Sequence, residues 1–284
     1  MPTIKQTLFA LWQYPLPHHA LSRLVGKLTH CKIPWLKNLL IRMFAQRFGI
    51  DMNEAAKEDL ADYTCFNDFF TRPLKPGVRP LPREQDLVVS PVDGTISQIG
   101  SLTSQWLIQA KGRDYSASAL LGDPEMAARF EDGEFTTIYL SPRDYHRIHM
   151  PLTGTLRRML HIPGRLFSVN PATTEAVANL FARNERVVCL FDTEAGPMAM
   201  VLVGALLVAS IETVWHGVVS PPTRQTVRQW HYAVNQIRLQ QGEEMGRFNM
   251  GSTVILLFAR DAIHWLQAEP SRKLLLGTPL AKIS

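Results

Sequence analysis

The run MAMVLVGALLVASI, from Met198 to Ile211, constrains the fold more than any other stretch of this chain. It is the longest apolar run, yet it falls short of the roughly 20 residues that a membrane-spanning helix needs. Its Val, Leu and Ile content, with Gly204 midway, reads as two buried strands. From Asp86 onward the same grammar repeats. Short β-type runs alternate with turn signals in LVVSPVDGTISQIG, EFTTIYLSP, GTLRRMLHIPG, ERVVCLFDT and STVILLFA. Only a few helices interrupt them, one of them expected around ATTEAVANLFARN. The fold class is α+β, with a mainly β catalytic domain over residues 86–284.

The first 50 residues are different. They hold Lys5, Arg23, Lys27, Lys32, Lys37, Arg42 and Arg47 and no Asp or Glu, so the net charge of +5 belongs to this segment and the remainder is close to neutral. From Leu36 to Arg47 a helical period puts Leu36, Leu39, Leu40, Met43 and Phe44 on one stripe. Trp12, Tyr14 and Trp35 add aromatic residues of the kind found at interfaces. The segment is either a helical cap folded on the main domain or an amphipathic anchor on an anionic membrane surface. The absence of acids to balance the bases favours the membrane. Bulky apolar residues between the bases argue against nucleic acid. Residues 51–85, with four prolines in FNDFFTRPLKPGVRPLP, read as a linker with short helices. Three cysteines without paired spacing argue against a disulfide framework or a cysteine zinc site and fit a reducing compartment. Residues 1–20 lack a long apolar core followed by a small-residue cleavage site, so no signal peptide is expected.

Three places combine reactive side chains with turn chemistry. Asp93 lies in SPVDGTIS, where Asp before Gly is ordinary in turns. His146 and His149 lie in YLSPRDYHRIHMP. Their spacing suits a metal, but the flanking prolines and the missing Glu and third His do not, so no metal is expected. Ser252 follows Gly251 in FNMGSTVILLFA and precedes a strand, without the Gly-x-Ser-x-Gly elbow of an α/β-hydrolase. Asp, His and Ser are nonetheless the parts of a base-activated nucleophile. Gly251, with no side chain, leaves its carbonyl open to attack by the neighbouring hydroxyl. Three readings stand on these residues: a chain that acts on its own Gly251–Ser252 bond, a serine hydrolase acting on an external ester, and a membrane-surface binding module without chemistry.

Taken together, YLSPRDYHRIHMP, FSVNPAT, LFARNERVVCLFDTEAGPMAMVLVGA, SIETVW and GEEMGRFNMGSTVILLF closely resemble the bacterial phosphatidylserine decarboxylases over nearly the whole chain. The resemblance implies a proenzyme that cuts itself between Gly251 and Ser252, with Asp93 and His149 assisting Ser252. It implies that Ser252 becomes a covalent pyruvoyl cofactor at the head of a chain spanning 252–284, held in a heterodimer with 1–251. A homodimer is also compatible with it. The implied reaction joins the pyruvoyl carbonyl to phosphatidylserine as a Schiff base and yields phosphatidylethanolamine and carbon dioxide. His146 is the candidate for substrate contact or proton delivery, and Lys111 in QAKG a candidate phosphate contact. The implied location is peripheral, on the cytoplasmic side of the cell membrane. One departure is local: the family usually has Leu where this chain has Met250, a volume-conserving change.

Overall fold

The computed structural model describes residues 3–110, 112–206, 210–221, 226–234, 236–251, 253–267 and 269–284. Lys111 and Ser252 lie outside the described residues. The strand that follows Ser252, Thr253–Phe258, sits in the middle of a nine-stranded antiparallel sheet. It pairs with Gly196–Val203 on one side and Glu134–Tyr139 on the other, so that Thr253 faces both Val203 and Tyr139. Every described residue of the strand is fully buried, and the alternation of side chains explains how. Val254, Leu256 and Phe258 enter one hydrophobic core; Ile255 and Leu257 enter a second core on the opposite face. Gly196–Val203 divides in the same way, with Met198, Met200 and Leu202 in the first core and Ala199, Val201 and Val203 in the second. A sheet covered on both faces is what continuous apolar runs require.

The apolar run from Met198 to Ile211 therefore crosses from one sheet to another. Gly204 ends the first strand where a Cβ would stand 3.1 Å from the Glu185 carbonyl oxygen. Ser210–Thr213 then joins a four-stranded sheet, between Gly217–Ser220 and Glu244–Asn249. Arg147–His149 forms the far edge of that sheet, beside Glu244–Asn249. The chain makes a second crossing at Met250–Gly251. Glu244–Asn249 belongs to the four-stranded sheet and Thr253–Phe258 to the nine-stranded one, so the Gly-Ser bond lies at a junction between sheets. The helix expected around ATTEAVANLFARN is two short ones, Pro171–Ala176 and Leu180–Arg183. Asn179 breaks them with a left-handed φ of 55°, a conformation that Asn tolerates better than most residues.

Three helices precede the sheets: α1 (Ile4–Gln13), α2 (His18–Thr29) and α3 (Pro34–Phe48). Thr3 and Gln6 close a capping box at the start of α1; Pro34 opens α3, and Gly49 ends it in a left-handed conformation. Buried polar contacts tie α1 and α2 to the domain. Gln13 accepts from the Ser168 amide at 2.8 Å, and His18 accepts from the Leu166 amide at 3.2 Å. The apolar stripe of α3 does not all face inward. Ile41 is fully buried, with Leu40 and Phe44 partly buried around it, whereas Trp35, Leu39 and Met43 are exposed. A fourth helix, α4 (Phe66–Phe70), lies within 51–85 and is buried against α3. Together they make an aromatic cluster of Ile41, Tyr63, Phe66, Phe69 and Phe70, with Met250 packed against it.

Candidate active site

The junction at Gly251 is held from both sides. Upstream, the Phe248 amide donates to the His146 carbonyl at 3.0 Å. The buried Asn249 accepts from Asn67 Nδ2 on α4 at 3.0 Å and donates to Ser210 Oγ at 2.6 Å. Downstream, Thr253 is locked between two strands. Only residues 250, 251 and 252 bridge these fixed points.

His146 is the titratable side chain that the structure sets against Gly251. A Cβ on Gly251 would stand 3.6 Å from the imidazole Cε1. The ring is fully buried and lies nearly parallel to Phe70, with ring centres 4.1 Å apart. Neither ring nitrogen makes a well-formed hydrogen bond to the described residues, although the backbone of Pro142 and Ser141 lies near enough to oppose part of the pKa shift. Burial pushes its pKa down to about 3, and the nearby Arg72 charge acts in the same direction. At neutral pH the ring is therefore uncharged, with one nitrogen an acceptor and the other a donor. A buried polar group without well-formed hydrogen bonds is costly, and here that group stands beside Gly251. Thr253 Oγ1, on the other side of Ser252, is likewise buried without a partner among the described residues.

His149 is engaged elsewhere. Its Nδ1 lies 2.8 Å from the Gly242 carbonyl oxygen and its Nε2 lies 3.0 Å from the Tyr145 hydroxyl. A carbonyl can only accept, so Nδ1 carries the proton and Nε2 accepts from Tyr145. Burial lowers the His149 pKa, and the Gly242 hydrogen bond opposes that shift. His149 is thus engaged through both ring nitrogens, whereas His146 is set against Gly251. Asp93 is nearly buried and holds Arg79 in a two-point contact, 3.0 Å from Nε and 2.7 Å from Nη2, while accepting from the Leu276 amide at 2.7 Å. It makes no hydrogen bond to His149 among the described residues. The other side of Arg79 pairs with Glu54, 2.7 Å from Nη2. The structure brings His146 against Gly251, beside Met250, and sets Asp93 near enough to His149 for its charge to favour the protonated ring. Asn67, Arg79, Tyr145 and Asn249 belong to this region without having been marked in the sequence.

Two apolar cavities flank Met250. One, of about 290 Å³, is lined by Phe44, Phe48, Phe70, Leu140, Met250 and Gly251, with Ser168 and Asn170 at its polar part. The other, of about 310 Å³, is lined by Leu28, Leu40, Met43, Phe44 and Met250. Gly251 is therefore reached through apolar space to which α3 contributes Phe44 and Phe48.

Comparison with known proteins is consistent with this geometry. Residues 66–282 match the family model described as phosphatidylserine decarboxylase, and residues 8–49 match one described as PSD. A phosphatidylserine decarboxylase proenzyme of Azotobacter vinelandii is 53% identical over 99% of this chain and 100% of its own. Proteins of the same name from Pseudomonas fluorescens and Shewanella halifaxensis are 54% and 55% identical, over 98% and 95% of this chain and 96% of each relative. The class so defined is a lyase that removes carbon dioxide. Within it, the chain belongs to the phosphatidylserine decarboxylase family.

Proposed function

We propose that the chain is a proenzyme that cuts its own Gly251–Ser252 bond, carries a pyruvoyl group made from Ser252, and converts phosphatidylserine to phosphatidylethanolamine at a membrane surface. The observation that carries this reading is the fully buried His146 ring set against Gly251 at the junction between the two sheets. In the first step Ser252 Oγ bonds to the Gly251 carbonyl carbon, the C–N bond breaks, and the hydroxyl proton passes to the new amine. Loss of the Ser252 Cα proton then expels the Gly251 carboxylate. The dehydroalanine left at residue 252 takes up water and releases ammonia, leaving the pyruvoyl carbonyl.

Ser252, His149 and Asp93 remain the proposed cleavage set. For His149 to take the hydroxyl proton, its Nε2 must exchange the Tyr145 hydroxyl for Ser252. Asp93 acts at a distance, through the negative charge it places near His149. His146 lies against Gly251 and suits substrate contact or proton delivery there. The surroundings fit a pyruvoyl group: His146 lies against Gly251, Thr253 carries a buried hydroxyl without a partner among the described residues, and the apolar cavity reaches Gly251. That group supplies a carbonyl that withdraws the electrons left behind when carbon dioxide departs. Neutral His146 adds no positive charge beside the substrate amine, and the cavities beside Phe44 and Met250 offer apolar cover for acyl chains.

The two cleavage products are expected to stay together as a heterodimer. Thr253–Phe258 is central in the large sheet between two strands of 1–251, and Lys273–Leu274 and Pro279–Ile283 pair with Gly94–Ser101 and Leu87–Val89 of that chain. Decarboxylation is tested with phosphatidylserine dispersed in detergent, by following carbon dioxide release and the lipid product together. Equimolar carbon dioxide and phosphatidylethanolamine support the assignment; release of fatty acid or serine instead would contradict it.

Docking on the cytoplasmic side of the cell membrane rests on the outer faces of α1–α3. Leu8, Trp12, Leu24, Trp35 and Met43 are exposed there together with Lys5, Arg23, Lys27, Lys32, Arg42 and Arg47. No helix among the described residues is long and apolar enough to cross a membrane. Replacing Trp12 and Trp35 by Glu is expected to weaken binding to phosphatidylglycerol-containing vesicles by more than tenfold, since burial of one large apolar side chain contributes roughly 1.5–3 kcal/mol. Sedimentation with such vesicles checks this, and unchanged binding would refute the docking face.

A further inference from the structure

Met250 has a backbone conformation unlike that of the other non-glycine residues described. Its φ is 94°, and Gly251 beside it has a φ of 43°. The other described non-glycine residues with positive φ are Ser104, Asp132, Asn179, Asp261 and Ser271, all between 51° and 69°. Those are small polar residues close to the ordinary left-handed well. Met250 is a long apolar residue well outside it. Such a conformation persists only where the surroundings over-determine it.

The surroundings here do so at three points. Asn249 is tied to Asn67 and Ser210, Thr253 is paired on both sides, and the Met250 side chain packs against the α3–α4 aromatic cluster between the two apolar cavities. If the side chain were released, the backbone could relax toward negative φ and turn the Gly251 carbonyl away from its present direction.

We propose that Met250 is a positioning residue for self-cleavage: anchoring its side chain in the aromatic cluster holds a strained turn that presents the Gly251 carbonyl to Ser252. The inference rests on the self-processing reading above. Breaking the Gly251–Ser252 bond makes Gly251 a free terminus and relieves the strain, so the same anchor favours the forward direction. It also couples cleavage to the seating of α3, because Ile41, Leu40 and Phe44 help form the cluster. Cleavage then follows folding of the helical segment onto the domain.

The test is a pulse-chase measurement of cleavage in the full-length chain with Met250→Leu, Met250→Gly and Met250→Ala. Leucine keeps the anchor and should cleave within about twofold of wild type. Alanine loses the anchor and still resists positive φ, so it should slow cleavage by roughly tenfold, equivalent to about 1.4 kcal/mol of barrier. Glycine also loses the anchor but reaches positive φ without steric cost, so it should fall between the two. A purely packing role would instead make glycine slower than alanine, because it removes more side chain. Thermal melting beside the uncut Ser252→Ala chain establishes that each variant is folded. If alanine does not fold, Met250→Ser takes its place as the small residue that resists positive φ, with glycine expected to cleave faster than serine and glycine slower than serine overturning the proposal. Alanine cleaving at the wild-type rate, or glycine slower than alanine, would also overturn it. A wild-type chain that never cleaves would remove the self-processing reading itself and this inference with it.

Discussion

Ser252→Ala is expected to give a single full-length chain with no decarboxylation above background. Alanine offers no oxygen to attack the Gly251 carbonyl, so neither the ester nor the later elimination can form, and no pyruvoyl group appears. The fold should survive, because the restraints on the junction come from other residues. Asn249 remains tied to Asn67 and Ser210, and Thr253–Phe258 keeps its two neighbouring strands. A denaturing gel and a decarboxylation assay on the same preparation check both halves. Cleavage persisting at this bond in Ser252→Ala would mean that another nucleophile or an external protease cuts the chain.

Arg79→Met is expected to lower stability by about 3–5 kcal/mol, the usual cost of leaving one member of a buried ion pair without its partner. Arg79 and Asp93 are both nearly buried, 8% and 7% exposed at their side chains, and their two-point contact is supplemented by Glu54. The two carboxylates push the Arg79 pKa up against the opposing effect of burial. Removing the guanidinium leaves the Asp93 carboxylate without its ion-pair partner, with the Leu276 amide as its remaining donor. Urea unfolding of the uncut Ser252→Ala chain, with and without Arg79→Met, measures the effect apart from cleavage. A second variant separates charge from packing: adding Asp93→Asn should recover part of the loss, because the unpaired charge is gone. A shift below about 1 kcal/mol would show the pair to be no more than a surface contact. The same measurement bears on Asp93 in cleavage, since a loss of activity in an Asp93 variant has a structural component wherever Arg79 is left unpaired.

How far the sequence revealed this arrangement depends on the range of each interaction. STVILLFA was legible as a buried strand because a continuous apolar run has few alternatives, and its residues do alternate between two cores. The strand-to-strand crossing at Gly204 was legible for the same reason. The direction of α3 was not, because the helix is apolar on more than one side: Ile41 faces the domain, while Trp35, Leu39 and Met43 do not. Nor was the break at Asn179, which a helical period cannot reveal.

At the site, His146 and Gly251 were both marked, but their contact joins residues brought together by a sheet edge and by α4. Asn67 and Asn249 meet across 182 positions of chain, and no local pattern foretells that. Arg79 sits only 14 residues from Asp93, yet in a proline-rich stretch with the appearance of a linker. The roles of Asp93, His149 and Ser252 came from the family resemblance and not from any local pattern of the chain. The structure gives Asp93 to Arg79 and occupies both ring nitrogens of His149, leaving His146 beside the junction.

The most direct test of self-processing is the intact mass of the purified wild-type protein after denaturation. Two chains are predicted, one ending at Gly251 and one beginning at residue 252, with the smaller carrying a pyruvoyl group in place of serine. A single unmodified chain that decarboxylates phosphatidylserine would contradict the account, because activity would then require no group made from Ser252.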